Sequence, residues 1–94
     1  MTSKIEITEK DRENFIVKVQ GNSTTTHIVM VTDSHQQNLT NGNMTKEELL
    51  RFSFLFLLER EPNTSILSEF KIYVIGHYFP EYKRKIQESV SNPN

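Results

Sequence analysis

Hydrophobic and polar residues alternate with a period of two along the first third of the chain. Ile5 and Ile7 alternate with charged or polar neighbours, as do Phe15, Val17 and Val19. Period two puts successive side chains on opposite faces of a strand, so two half-buried strands are expected, joined by a polar turn over residues 9–14. Gly21 and Asn22 interrupt the second run and can supply the positive φ of a tight hairpin turn. Residues 24–31 are almost continuously β-branched, which predicts a third antiparallel strand. Its faces are Ile28 and Met30 against His27, Val29 and Val31, and the pattern alone leaves the inward face open.

Residues 33–43 are rich in Gln, Asn, Ser and Thr. They read as a loop, or as one helical turn around residues 36–39, with Gly42 suited to a turn. The periodicity then becomes helical. Thr45 and Glu48 stand in capping-box spacing, each able to satisfy a free N–H of the other's backbone, so a helix should begin at Lys46. Met44 and Leu49 are placed to staple that start. At ~100° per residue, Leu49, Leu50, Phe52, Phe54, Phe56 and Leu57 cover roughly 200°, wider than a one-sided surface helix needs. Leu55 and Leu58 fall outside even that arc. The helix should therefore be covered on two sides, by the sheet and by later helices or a second subunit. Pro62 ends it, because the residue before proline is pushed out of the α region.

Three cap-competent residues, Asn63, Thr64 and Ser65, precede Ile66, Leu67 and Phe70, which predicts a short second helix. Residues 71–75 carry both signals. Their β-branched content favours a strand, whereas Ile72, Ile75 and Phe79 recur at helical spacing. Helix is the expectation, since a strand here would need a sheet edge some 40 residues upstream. Pro80 should open a last helix burying Tyr82, Ile86 and Val90, with Glu81 and Lys85 as a supporting ion pair. Residues 91–94 are expected to fray. The fold class expected is α+β: one domain over residues 1–94, with a three-stranded antiparallel meander and three or four helices packed on one face.

Composition narrows the chemistry. Apolar residues make up 35% of the 94, so the core is small, and dimerisation would supply further burial. The 11 basic and 12 acidic side chains nearly cancel, which gives no long-range field for nucleic acid or anionic lipid. Zero cysteines exclude a disulfide framework, a thiolate zinc site and a cysteine nucleophile. The first residues lack a signal-peptide pattern and no apolar run reaches the ~20 residues of a bilayer span, so a cytosolic protein with no membrane partner is expected. The sequons at Asn22, Asn38, Asn43 and Asn63 read as chance products of a Ser/Thr-rich chain.

The histidines, His27, His35 and His77, have no metal-ligand spacing, and neither a metal nor a cofactor is expected. Glu59, Arg60 and Glu61 could be read as an acid/base pair with a clamp, but adjacent helical residues diverge, and a solvated helix end with a local ion pair explains them. Thr24, Thr25 and Thr26 are sufficiently explained by strand propensity. An enzyme would need His77, Glu69 and Tyr78 to converge on a cleft. A nucleic-acid contact would need Lys83, Arg84 and Lys85 to share a face with Arg51. The preferred reading is a non-enzymatic interaction module that binds itself or another protein, with Leu55, Leu58, Tyr78, Tyr82 and Lys83 as candidate partner-binding residues.

Residues 53–67 read S-F-L-F-L-L-E-R-E-P-N-T-S-I-L, and residues 74–82 read V-I-G-H-Y-F-P-E-Y. With G-N-S-T-T-T-H at residues 21–27, these segments resemble a family of small bacterial proteins to which no function is attached. The resemblance implies a bacterial cytosolic protein and brings no site residue with it. Family members have a short polar stretch with an aspartate before the Val-Ile pair, where this chain has Lys71, Ile72 and Tyr73. That departure bears on the helix cap expected there.

Overall fold

The computed structural model describes residues 4–91, so the fraying expected of residues 92–94 lies outside the described residues. Strands β1 (Lys4–Glu9), β2 (Asn14–Gln20) and β3 (Thr24–Met30) form the antiparallel meander that the alternation implies. The β1–β2 turn is built on Asp11, whose carboxylate accepts from the N–H groups of Glu13 and Asn14 at 3.0 and 2.9 Å. Hydrogen bonding from the Asn14 side chain and then from the Glu13 backbone holds the Asp11 carboxyl below its ordinary range. The β2–β3 turn closes with Gly21 N–H on the Ser23 carbonyl at 3.2 Å. It uses no positive φ. Among the described residues those belong to Asn41 (55°) and Gly42 (78°), which end the next helix.

That helix, α1 (Asp33–Thr40), is longer than the single turn expected. Its extra stability at the start has a local cause. Thr32 and His35 form a capping box in which histidine replaces the usual Glu or Gln, its Nδ1 accepting from the Thr32 N–H at 3.3 Å. Asp33 then binds Lys46 at 2.8 Å and Arg12 at 3.0 Å, tying the first turn of α1 to the β1–β2 loop and to the next helix. Helix α2 (Lys46–Leu58) starts where expected, with the Thr45–Glu48 capping box intact at 3.0 and 2.8 Å.

The largest departure from the sequence expectation follows Pro62. No helix forms over residues 66–70. A single 3-10 turn (Asn63–Ser65) leads into an extended segment, and β4 (Glu69–Lys71) pairs in parallel with the free edge of β3, giving sheet order β1-β2-β3-β4. The sheet is therefore mixed and four-stranded. A parallel neighbour requires a crossover of a dozen or more residues, which α1 and α2 provide. Helix α3 (Val74–Tyr78) is short, and α4 (Tyr82–Ser91) follows Pro80.

One sheet face is buried. Phe15, Val17, Val19, His27, Val29 and Val31 enter the core with Leu49, Leu50, Phe54 and Phe56 of α2, whereas Lys18 and Thr26 on the opposite face are exposed. Thus β3 turns its His27, Val29 and Val31 side inward. From α4, Tyr82 and Ile86 are wholly buried and Val90 is half-buried. No helix among the described residues is long and apolar enough to cross a membrane.

Candidate functional site

Segment 63–79 is fastened to β3 by a buried polar chain. His27 is 2% exposed and its ring lies 5.4 Å from that of Phe54. Its Nδ1 is 2.7 Å from the Leu67 carbonyl and its Nε2 is 2.8 Å from the Thr25 hydroxyl. A carbonyl can only accept, so Nδ1 carries a proton, and in the neutral ring Nε2 accepts from the Thr25 hydroxyl. Asn63 Nδ2 donates to that same hydroxyl oxygen at 2.9 Å and to the Ser23 carbonyl at 2.9 Å. Among the described residues no buried side-chain nitrogen or oxygen lacks a partner, which is what makes the burial of this polar chain tolerable. The Asn63 sequon is thus engaged inside the fold.

The fastened segment walls an apolar cavity of about 210 Å³. Leu57 contributes the end of α2, Ile66 and Leu67 the extended link, Phe70 strand β4, and Ile75 helix α3. Phe70 faces inward because period-two alternation in β4 puts Glu69 and Lys71 on the opposite side, and its ring packs 6.2 Å from Phe54. Of the lining residues, Ser65, Leu67 and Tyr78 are exposed and mark the open side, while Glu61 is half-buried. Leu67 and Tyr78 are 48% and 67% exposed, so two of the four exposed large hydrophobics among the described residues border this opening.

A second, shallower depression of about 480 Å³ lies between α2 and α4, lined by Phe52, Leu55, Arg60, Lys85 and Glu88 among others. Arg60 dominates its chemistry. The guanidinium sits 3.6 Å above the Phe56 ring, donates to the Phe56 carbonyl at 2.9 Å, and binds Glu81 and Glu59 at 3.2 Å. Glu81 therefore pairs with Arg60 rather than with Lys85, which lies 4.0 Å from Glu88. A hydrogen bond from its own backbone, then Arg60, holds the Glu81 carboxyl below its ordinary range.

The five candidate partner-binding residues do not form one surface. Tyr78 borders the apolar cavity and Leu55 the shallow depression. Leu55 is 49% exposed, so of the two covers expected, later helices or a second subunit, the later helices do not supply one, whereas Leu58 is half-buried against the core. Tyr82 is not on a surface at all: it is wholly buried, its hydroxyl 2.5 Å from Ser53 Oγ, and burial pushes its pKa well above the ordinary phenol value. Lys83 is exposed. Of His77, Glu69 and Tyr78, only Tyr78 lines the cavity; the His77 ring rests 5.9 Å from Tyr73. Arg84 is bound to Glu88 at 3.1 Å, and Arg51 donates to the Ile5 carbonyl at 3.3 Å. Among the described residues no group of three or more His, Asp or Glu side chains could hold a metal ion.

Sequence reasoning missed Ile66, Leu67 and Phe70 as a site because it placed residues 66–70 on a helix, and it weighed Glu61 only with Glu59 and Arg60 at the helix end. The available signal was the strict alternation of Glu69, Phe70, Lys71 and Ile72. No family model matches the chain, and comparison with curated proteins and with solved structures gives no match either.

Proposed function

We propose that this chain is a non-enzymatic protein-interaction module whose partner places a large apolar side chain in the cavity between the end of α2 and the β4–α3 segment. The observation that carries this reading is an apolar cavity with Leu67 and Tyr78 exposed at its mouth. Its volume exceeds the roughly 150 Å³ that accommodates benzene in an apolar protein interior, so a branched or aromatic side chain fits. Interface hot spots consist of such anchors in desolvated pockets, ringed by contacts that exclude water. The scatter of Glu69, His77 and Tyr78 supports binding over catalysis, and the engagement of Arg84 and Lys85 with Glu88 weakens a nucleic-acid reading.

The test is a display selection of random dodecapeptides against the folded chain, repeated with Ser65→Trp. Ser65 is exposed, so an indole there should plug the mouth without disturbing the core. Enrichment of peptides sharing one large apolar residue, lost in Ser65→Trp, is the expected result. Enrichment unaffected by the plug would place binding elsewhere. Self-association is a second reading, favoured by the 49% exposure of Leu55 in a depression bordered by both acidic and basic side chains.

A further inference from the structure

The lining of the cavity is apolar or neutral except at Glu61. Glu61 is a half-buried residue, and among the described residues no ion pair or side-chain hydrogen bond engages its carboxylate. The nearest cation in sequence, Arg60, is already committed to Glu59, Glu81 and the Phe56 ring. The Glu61 carboxylate can therefore pair with a cation arriving from outside beside the apolar wall. The C-terminal end of α2 is already met by Arg60, which donates to the Phe56 carbonyl at 2.9 Å, so Glu61 is the lining group that favours a positive partner, while Phe70 and Tyr78 offer aromatic surface in the same lining.

Resting on the docking reading above, we propose that the segment bound in the cavity is basic as well as apolar: a partner-protein segment in which Lys or Arg directly flanks the anchoring side chain and meets Glu61. The anchor supplies burial. The flanking cation supplies selectivity, because a neutral or acidic neighbour would leave Glu61 uncompensated or repelled.

The experiment uses three capped tripeptides, lysyl-tryptophyl-lysine, glutaminyl-tryptophyl-glutamine and glutamyl-tryptophyl-glutamate, titrated into the ¹⁵N-labelled full chain. Chemical shifts of Leu67, Phe70, Ile75 and Tyr78 are followed, and Glu61→Gln and Ser65→Trp serve as comparisons. The basic peptide should bind roughly three- to fivefold more tightly than the neutral one, a range set by a partly exposed ion pair, and the acidic peptide more weakly than both. Glu61→Gln should erase the difference between basic and neutral peptides, and Ser65→Trp should abolish the shifts with all three. Equal binding of the basic and neutral peptides at the cavity, or a preference that survives Glu61→Gln, would overturn the charge proposal and leave the docking reading standing. Absence of cavity shifts with every peptide would overturn both.

Discussion

The meander of residues 4–30 and the return segment of residues 63–79 are both rich in β-branched residues, yet they acquire structure in different ways. In the meander each strand pairs with its sequence neighbour, so the alternation of Ile5, Phe15, Val17 and Val19 is enough to define strand and partner, and the inward face of β3 is then set by its register with β2, where Val29 lies opposite Phe15. In the return segment the partner is remote. Val29 pairs with Phe70, and the Leu67 carbonyl is bound by His27, 40 positions away. The same local signals that suit a helix are overridden by an unpaired strand edge and a buried imidazole. The difference shows that periodicity is decisive where contacts are local and subordinate where an existing edge can be extended.

The most damaging change to both regions should be Phe54→Ala. Its ring is fully buried and touches His27 on one side and Phe70 on the other, so it joins the meander to the return segment. A loss of about 3–5 kcal/mol in chemical denaturation is expected. A loss under about 1 kcal/mol would mean that the two regions are not packed through this ring.

His27→Ala sharpens the comparison, since it removes the link and spares the alternation. It strands the Leu67 carbonyl and should cost about 1–3 kcal/mol, against no more than ~0.5 kcal/mol for Thr26→Ala on the exposed face of the same strand. Equal effects at the two positions would deny the buried chain any role in stability.

What was legible in the sequence follows the same division. The three strands, the start of α2 at Lys46 and the burial of Tyr82 and Ile86 could be read from local pattern and capping chemistry. The capping histidine of α1 was not, because His35 at that position departs from the usual Glu or Gln. Nor was β4, since its three residues are too short to assert a strand without the β3 edge. The cavity followed β4 into obscurity: its walls belong to four separate segments, and only their packing makes them a site. Tyr78 alone was common to the candidate residues and the cavity.

Leu55→Ala probes the outer side of α2. At 49% exposure it should change stability by no more than ~0.5 kcal/mol. A larger loss that depends on protein concentration would show that a second copy covers it, in favour of the self-association reading.

The smallest effect expected is a pH dependence from His35. Burial, and secondarily the Lys71 charge, lower its pKa in the fold, with Glu13 opposing. A lowered histidine pKa means that the folded state binds fewer protons than the unfolded chain, so stability is complete above about pH 6.5 and is lost as pH falls through the lower folded value. His35→Gln preserves capping-box chemistry and should flatten the fall in denaturation midpoint between about pH 7 and 5. An unchanged slope would assign it to other groups.

The claim that the return segment owes its structure to the β3 edge and to His27 is tested most directly by amide hydrogen exchange on His27→Ala. In the native chain, Ile28 N–H is bound to the Ser68 carbonyl at 2.8 Å and Ile72 N–H to the Met30 carbonyl at 3.0 Å, so these amides report on β3–β4 pairing. The variant should lose protection at Ile28 and Ile72 well before the β1–β2 ladder does, as local opening of one unit. Protection that falls equally across all four strands, or persists at Ile28 and Ile72, would contradict the claim.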